Sequence, residues 1–275
     1  MKKLLIVFLI LLSISGCNRM PKNKNTKADR IISLAPAATE IICALGKEKD
    51  IVAVTNDCNY PLSVKNKPKI GPFGYPILEK IIKYNPNIVI TTDFSKHPII
   101  RQLDRLGIKA VNLENSNVEE LLKNIEVIGK MLQTKKTADK LIKLIKKDIN
   151  KYKNNKKNNK PKVFIEIWGN PLFTAGKNSY LGELVDIAGG INITGYIQDN
   201  YPQIREEIVI KNNPKIIILA YKGRDNVLKR TKWQYIDAIK YKNVYDNIGY
   251  DILQRPGPRV TTALSKLSDI INKNK

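Results

Sequence analysis

The chain has 275 residues, 43% of them hydrophobic and 27% charged, as in an ordinary globular protein of one large or two smaller domains. Lysine and arginine number 48 against 25 acids, and the formal charge of +23 raises nucleic acid or an anionic membrane as a partner. Lysine is over-used along the whole chain, however, so we expect no nucleic-acid partner. The single histidine, His97, excludes a histidine-rich zinc site, and no phosphate-binding glycine loop or G-x-S-x-G motif occurs. The composition therefore predicts no metal site and no catalytic residues.

The N-terminus has the features of an export signal. A basic start precedes an apolar run from Leu4 to Ile14, and about 11 residues are too few for a membrane-spanning helix, which needs about 20. The run leads into Ser15-Gly16-Cys17, which is similar to the lipobox of bacterial lipoproteins, where the cysteine is lipidated. We predict a signal peptide over residues 1–16, lipidation of Cys17, a flexible tether over residues 17–29 and a lipid-anchored place in the cell envelope. A plain cleaved signal with a chance cysteine is the alternative.

From Arg30 the chain alternates β-rich runs with helical patterns. The predicted strands are Ile31–Leu34, Ile51–Thr55, Ile88–Thr91, Lys109–Leu113, Val163–Ile167, Ile216–Ala220 and Val244–Asp246. The helices predicted between them are Thr39–Leu45, Ile99–Leu106, Tyr180–Ala188, Glu206–Lys211 and Trp233–Ile239. Such alternation is typical of parallel sheets covered by helices, so we predict an α/β fold.

The middle of the chain is helical instead. Apolar residues from Val118 to Leu132 form one helical stripe, and those from Ala138 to Tyr152 form a second, with lysines on its far side. A polar segment follows, over residues 153–161. We therefore predict three parts, an N-terminal lobe, a helical linker and a C-terminal lobe, over residues 30–117, 118–160 and 161–275.

The two lobes contain a common unit. In each, a glutamate lies seven residues before a proline that leads into a strand, Glu79 before Pro86 and Glu207 before Pro214. The repeat predicts two pseudo-symmetric α/β lobes joined by a single long helix. We place a ligand cleft between the lobes, because clefts between domains are where small molecules usually bind.

Several segments together resemble the class III substrate-binding proteins of bacterial ABC importers, which carry vitamin B12, iron siderophores and haem. The resemblance extends in order through Arg30–Glu40, Lys67–Gly71, Leu78–Val89, Trp168–Gly176, Ala188–Asn192, Tyr201–Pro214 and Arg255–Arg259. It implies a binding protein without enzymatic activity or intrinsic cofactor. The implied partners are a small-molecule ligand, a membrane permease and the ATPase subunits of the importer.

The resemblance also implies which residues contact the ligand. Pro36 matches a proline at the cleft, and Phe73 and Tyr201 match aromatic residues that stack on the ligand in the vitamin B12-binding members. Arg259 matches a polar cleft contact, and Trp168, directly after a predicted strand, is a further candidate. The alternatives are loop packing for the two stacking residues, a surface position for Arg259 and a core position for Trp168.

The overall similarity of the chain to the vitamin B12-binding members of the family implies cobalamin or a related corrinoid as the ligand. Three positions that can be aromatic in vitamin B12-binding members hold Asp57, Thr92 and Leu253 here, which leaves fewer aromatic walls. Three other aromatic residues lie near enough in sequence to compensate, namely Tyr75, Phe94 and Tyr250.

Two iron-containing ligands stay open as alternatives. An anionic ferric siderophore favours convergent cations, which Arg255, Arg259 and Lys177 would supply. Haem favours an axial histidine or tyrosine, and His97 and several tyrosines are available.

Glu79 and Glu207 are the predicted docking residues. In the resembled family, one glutamate on each lobe meets arginines of the permease, and these two residues occupy the matching positions. Their place in the repeat fits a two-fold symmetric partner. The alternative is structural, since an acid in the first turn of a helix gains roughly 0.3–1 kcal/mol from the helix dipole.

Two other functions have weaker support in the sequence. An exported enzyme would use carboxylates such as Glu166 and Asp186, but these share no spacing and Glu166 lies inside a predicted strand. A surface adhesin would exploit the positive charge, yet dispersed lysines give mainly salt-sensitive binding. A disulfide between Cys43, in an apolar run, and Cys58, in a loop, is possible but not expected.

Overall fold

The computed structural model describes residues 29–92, 97–154 and 159–274. The predicted signal peptide, the predicted lipidation site Cys17 and the tether up to residue 28 lie outside the described residues. The strands are β1 (Ile31–Ser33), β2 (Ile51–Val54), β3 (Ile88–Thr92), β4 (Lys109–Leu113), β5 (Lys162–Gly169), β6 (Leu172–Thr174), β7 (Ile191–Asn192), β8 (Ile216–Leu219) and β9 (Val244–Tyr245). The α-helices are α1 (Pro36–Ala44), α2 (Leu78–Lys83), α3 (Pro98–Arg105), α4 (Val118–Met131), α5 (Lys135–Asn154), α6 (Tyr180–Ile187), α7 (Glu206–Asn212), α8 (Arg224–Leu228), α9 (Asp237–Lys240), α10 (Tyr250–Gln254) and α11 (Val260–Lys273).

The N-terminal half forms a parallel sheet in the order β2-β1-β3-β4. Its two inner strands, β1 and β3, are buried along their whole length. Strands covered on both faces are rich in isoleucine and valine rather than alternating with polar residues. The parallel arrangement places the carboxyl ends of all four strands at one edge, where the loops that follow them meet.

The C-terminal half forms a second sheet in the order β6-β5-β8-β9, with β7 paired to β5. Its pairs are parallel except for β5 with β6. Strands β6 and β7 have three and two residues, too short for a periodic pattern, so the sequence does not predict them. The α/β class predicted from the sequence is confirmed by the two sheets and their helices.

Helices α4 and α5 connect the two halves. Helix α4 contacts α1 of the N-terminal half, whereas α5, which has 20 residues, contacts α6 and α11 of the C-terminal half. The two helices also pack on each other, and one continuous hydrophobic core extends from β1 through them to β5 and α11. Because packed cores deform little, we expect this connection to be stiff. We propose that residues 118–160 form the linker between lobes 30–117 and 161–275. Within the described residues, no helix combines the length and apolarity needed to cross a bilayer.

The sequence repeat is also a repeat of backbone geometry. Helices α2 and α7 are each followed by a left-handed asparagine, Asn85 with φ of 43° and Asn213 with φ of 44°. Asparagine tolerates this conformation better than most side chains. The strand that comes next, β3 or β8, then pairs in parallel with β1 or β5 respectively. The two halves are therefore built alike.

One predicted helix, Trp233–Ile239, is wrong. A 3₁₀ turn covers Thr231–Trp233, and α9 begins only at Asp237, whose backbone N–H donates to Asn213 Oδ1 at 2.8 Å. The Trp233 ring is buried edge-on against Phe164, with ring centroids 5.9 Å apart. Tertiary packing of the tryptophan therefore overrides the helical pattern.

Candidate functional site

Three adjoining cavities lie at the carboxyl ends of the strands. The first, of about 390 Å³, shares Asn115 and Gln254 with the second, of about 260 Å³. It shares Ser116 and Asn200 with the third, of about 450 Å³. Since they share lining residues, we call the three together the cleft. Each cavity lies in or near the range of small-molecule sites, roughly 300–1,000 Å³.

Residues from both halves line the cleft. Pro36 and Phe73 line the second cavity, and Tyr201 lines the first. Asn115 and Gln254 line both and connect them. The structure thus brings three of the predicted contact residues to one groove, and their contact with a ligand stays a prediction.

The loop that carries Phe73 is held by two hydrogen bonds and a glycine turn. The Phe73 backbone N–H donates to Asp57 Oδ2 at 2.6 Å, and His97 Nε2 is hydrogen-bonded to the Gly74 carbonyl at 3.0 Å. Gly71 has φ of 120°, and a Cβ there would lie 2.8 Å from a carbonyl oxygen of the same loop, so only glycine fits this turn. The phenylalanine ring, 41% exposed, therefore stands at the cleft on a fixed backbone.

His97 is engaged within the protein. Its Nδ1 accepts from the Ile99 N–H at 3.1 Å as the cap of α3, while Nε2 bonds to the Phe73 loop. Neither ring nitrogen, in this arrangement, is available to coordinate iron. In the described part of the chain, no group of three histidine, cysteine or acidic side chains is arranged to hold a metal ion.

The other two predicted residues reach the cleft from fixed backbones. Pro36 follows β1 and is the first residue of α1, where a missing N–H costs nothing. Tyr201 precedes Pro202, whose carbonyl accepts from the Thr174 N–H of β6 at 3.1 Å. The tyrosine is 46% exposed and lines the first cavity.

Arg259 lies outside the cleft, contrary to its predicted position. Its Nε donates to Oε2 of buried Glu40 at 2.8 Å, and Nη2 donates to Oε1 at 2.5 Å. Burial alone would lower the pKa of Arg259, but the hydrogen bonds to Glu40 raise it above its usual value. The guanidinium also stacks on Tyr60, 4.1 Å from the ring centroid, and lines a separate cavity. Its charge is therefore used to join α1 to the start of α11.

Arg255 is the arginine that lines the cleft. Its Nη1 donates to Asn59 Oδ1 at 2.7 Å, and its Nη2 lies 3.3 Å from Asp251 Oδ1. A second carboxylate, that of Glu40, is 3.6 Å away. The charge of Arg255 is therefore balanced by acids of the protein itself before any ligand arrives.

Trp168 is neither a core residue nor a lining residue of the three cavities. It lies within β5 and is 56% exposed, directly after Ile167, which lines the first cavity. Its indole N–H donates to the Asn170 carbonyl at 2.9 Å, and its ring centroid is 5.9 Å from that of Tyr221. The structure therefore places Trp168 beside the cleft rather than in it.

Glu166, the carboxylate considered for catalysis, is a buried structural group. Arg230 Nη1 donates to Glu166 Oε2 at 2.7 Å, and Arg230 Nη2 donates to Glu166 Oε1 at 2.6 Å. The Tyr221 hydroxyl also donates to Oε1. Burial and the hydrogen bond to Glu166 both raise the pKa of Tyr221. Both carboxylate oxygens of Glu166 are therefore engaged by partners within the C-terminal half.

Sequence reasoning misses Asn115. It comes just after β4, is 8% exposed and lines both the first and the second cavity. Its Oδ1 is buried without a hydrogen-bond partner among the described residues. An unmade hydrogen bond of this kind costs about 1–3 kcal/mol, so a donor that reached this oxygen would stabilise the site. The polar run after a predicted strand, Glu114-Asn115-Ser116-Asn117, was the available signal.

The cleft is not basic, although the chain is. The charged side chains that line its described part are two cations, Lys177 and Arg255, and four acids, Asp57, Glu119, Glu183 and Asp251. Neutral hydrogen-bonding groups dominate the rest, namely Thr92, Asn115, Ser116, Asn117, Asn178, Ser179, Asn200, Tyr201, Tyr250 and Gln254. Two of the positions where aromatic residues can occur in the resembled family, Asp57 and Thr92, are thus lining residues, whereas Leu253 is buried.

The predicted docking glutamates are both exposed. Glu79 lies in the first turn of α2 and Glu207 in the first turn of α7. Neither makes a hydrogen bond or ion pair within the described ranges, in contrast to the adjacent Glu206, which pairs with Lys232. That hydrogen bond lowers the pKa of Glu206. The structure therefore presents Glu79 and Glu207 without internal partners.

The two cysteines of the folded part are free thiols. Burial raises the pKa of Cys43 to about 12. Cys58 is buried and its sulfur accepts from the Thr39 hydroxyl at 3.1 Å. Cys58 is thus a core thiol, whereas Cys43 is only partly buried and lines a separate cavity.

A family model described as periplasmic binding protein matches residues 31–247, which spans both sheets. The chain belongs to this family. The uncharacterized ABC transporter substrate-binding lipoprotein YvrC of Bacillus subtilis is 31% identical over 252 residues, covering 88% of this chain and 79% of that protein. The resemblance to ABC substrate-binding proteins inferred from the sequence is therefore confirmed.

Two crystal structures show the same two-lobed architecture. The periplasmic vitamin B12 binding protein BtuF of Vibrio cholerae is 25% identical, with a TM-score of 0.78, covering 90% of this chain and 98% of that one. A possible iron-binding (periplasmic solute-binding) protein of Staphylococcus epidermidis is 27% identical, with a TM-score of 0.77, covering 89% and 99% respectively. The predicted class III fold is confirmed.

Proposed function

We propose that this periplasmic binding protein is the lipid-anchored, extracytoplasmic component of an ABC importer. It captures cobalamin or a related corrinoid and delivers it to the membrane permease, whose ATPase subunits drive uptake. The name of YvrC as a lipoprotein and the lipobox-like end of the signal support lipidation of Cys17. The similarity to BtuF supports the ligand class. The protein itself catalyses no reaction.

The hydrogen-bonding chemistry of the cleft carries the ligand proposal. A corrin ring bears several neutral amide side chains, each with N–H donors and a carbonyl acceptor. Asn115 Oδ1 is buried and needs a donor, which an amide supplies and a carboxylate does not. Gln254 and Asn200 add two further amides to the same cavity. The rings of Phe73 and Tyr201 add apolar surface on either side.

Iron-containing ligands are the second candidate, favoured by the similarity to the possible iron-binding protein. An anionic siderophore would meet a described lining with more acids than cations, and Arg255 is already paired with Asp251. Haem would need an axial ligand, for which Tyr201 and Tyr250 stand at the cleft. Because the described lining has more acids than cations, we rank the siderophore and haem below the corrinoid as proposed ligands.

Delivery requires contact with the permease, for which we propose Glu79 and Glu207. Both are exposed, without internal partners, and occupy equivalent positions of the repeated unit. A permease with two-fold symmetry offers two equivalent arginine sites to such a pair. Neither glutamate lines the cleft, so capture and docking use separate residues.

Calorimetric titration with cyanocobalamin, haemin and an anionic ferric tricatecholate tests the ligand. We expect cyanocobalamin to bind with a Kd of about 1 μM or tighter, and the two iron ligands to bind at least about tenfold more weakly. Tight binding of either iron ligand without binding of cyanocobalamin would refute the corrinoid assignment while leaving the transport role. If none of the three ligands bound, the result would count against both the corrinoid assignment and the transport role.

A further inference from the structure

The lysines of the chain are concentrated on α5. This helix carries eight lysines and two aspartates in 20 residues. Helix α4, which packs against it, carries two lysines and three glutamates in 14 residues. Both helices belong to the same lysine-rich chain, so a general compositional bias does not account for the difference between them.

Five of these lysines form one exposed row, which we call the lysine stripe: Lys136, Lys140, Lys143, Lys147 and Lys151. They follow one another at spacings of four, three, four and four residues, so in a helix they lie within a sector of about 80°. The buried residues Ala138, Ile145 and Ile149 lie on the opposite side. In the described part of the chain, no carboxylate forms an ion pair with a stripe lysine.

The remaining lysines of α5 have acidic neighbours. Lys135 pairs with Asp139 at 2.7 Å, and Lys146 and Lys153 line a groove together with Glu119, Glu126 and Glu183. The stripe sets like charges three and four residues apart, which destabilises a helix. Asp139 and Asp148 lie three or four residues from some of these lysines, but neither forms an ion pair with a stripe lysine in the described part of the chain. An external anionic surface would relieve this repulsion, because it places opposite charges next to the row.

We propose that the lysine stripe holds α5 against the anionic headgroups of the bilayer in which the protein is anchored. The stripe is straight and about 22 Å long at 1.5 Å per residue, so several lysines reach a flat surface together. Each contributes roughly fivefold to partitioning onto an anionic membrane. Leu144, 61% exposed beside the stripe, adds an apolar contact.

The proposed lipid anchor favours a bilayer over a soluble polyanion as the partner of the lysine stripe. Lipidated Cys17 would lie 12 Cα–Cα steps before the first described residue, Asp29, a distance of at most about 40 Å. The folded body is therefore always close to a membrane surface, whereas a free polymer would have to be recruited. This inference rests on the export and lipidation proposed above. It gives α5 a role that ligand capture does not require.

Vesicle co-sedimentation tests the inference with two matched variants. The protein is the exported chain from residue 17 with Cys17→Ser, so that no lipid is attached. The stripe variant combines Lys140→Gln, Lys143→Gln and Lys147→Gln, and the flank variant combines Lys135→Gln, Lys146→Gln and Lys153→Gln. Both variants remove three charges from the same helix. The vesicles contain phosphatidylglycerol and phosphatidylcholine in about equal amounts, at physiological ionic strength, with pure phosphatidylcholine as the neutral control.

We expect the parent protein to bind the anionic vesicles, the stripe variant to bind at least about tenfold more weakly, and the flank variant to stay within about threefold of the parent. Equal losses in the two variants would overturn the proposal, because net charge alone would then suffice. So would absence of parent binding, or binding to soluble polyphosphate but not to vesicles. A stripe of arginines (Lys140→Arg, Lys143→Arg, Lys147→Arg) must retain binding, which separates loss of charge from loss of folding.

Discussion

The cleft and the lysine stripe distribute charge in opposite ways within one chain. The described lining of the cleft has two cations and four carboxylates, whereas the stripe has five lysines and no acid. The total of 48 cations against 25 acids predicts neither arrangement. Net charge therefore says little about the ligand of a binding protein, and the position of each charge says more.

Buried charges follow a third pattern, in which each has a partner. Glu166 is fully buried and paired with Arg230, and Glu40 is 3% exposed and paired with Arg259. The molecule thus has paired charges in its core, an excess of acids in its cleft and unpaired lysines on α5. The experiments below separate these three environments.

The largest expected effect concerns delivery. Replacing both docking residues, Glu79→Ala with Glu207→Ala, should abolish stimulation of the importer's ATPase, because each exposed carboxylate loses its salt bridge to the permease. Cobalamin affinity should stay within a few-fold of the parent, since neither residue lines the cleft. The matched control is Asp104→Ala with Asp269→Ala, two exposed acids on other helices. A double glutamate variant that still drives uptake would exclude the docking assignment.

The next largest effect concerns stability. Arg230→Ala leaves the carboxylate of Glu166 buried without its cation, and removing one partner of a buried pair typically costs about 3–5 kcal/mol. Denaturant unfolding monitored by circular dichroism measures the loss. Combining Arg230→Met with Glu166→Leu should restore most of it, because no charge then remains buried. A loss under about 1 kcal/mol in the single variant would show that Glu166 is solvated.

Smaller losses are expected at the aromatic walls of the cleft. Phe73→Ala and Tyr201→Ala should each weaken cobalamin binding by about 1–3 kcal/mol, taking the stacking of flat rings as a guide. Tyr75→Ala is the control, because Tyr75 belongs to the same loop as Phe73 but is 80% exposed. Calorimetric titration measures the cobalamin affinity of all three variants. If both cleft variants bound cobalamin with unchanged affinity, the two rings would serve loop packing rather than ligand binding.

A loss of about 1 kcal/mol is expected at Asn115. Asn115→Leu keeps the volume but removes the acceptor, so one hydrogen bond to an amide of the ligand is lost. Asn178→Leu in the third cavity is the control, since the Asn178 amide already donates to the Gln198 carbonyl at 2.9 Å. Tighter cobalamin binding by Asn115→Leu would contradict the assigned role of this oxygen.

Much of the fold follows from local pattern. Strands Ile88–Thr92 and Ile216–Leu219 begin where predicted, because isoleucine and valine runs that follow a proline specify parallel strands well. Short elements escape prediction, as β6 and β7 show, since a strand of two or three residues has no period. The helix predicted over Trp233–Ile239 fails for another reason, the tertiary packing of Trp233.

The site is less predictable, because its residues come from loops that only the fold brings together. Family likeness identifies Phe73 and Tyr201, whose rings do reach the cleft. It also selects Arg259, but sequence contains no sign that Glu40, 219 residues away, takes up its charge. Asn115 is a common residue in a polar loop, and its unpaired oxygen is a property of the packed structure.

The central claim is that the cleft recognises neutral amide groups, and one series of titrations tests it most directly. Cyanocobalamin is compared with its monocarboxylic acid derivatives, in which a single side-chain amide is hydrolysed to a carboxylate. We predict that at least one of these derivatives binds about tenfold or more weakly than cyanocobalamin, because a carboxylate cannot donate to Asn115 and adds charge to an acidic lining. Equal or tighter binding of every derivative would contradict the claim.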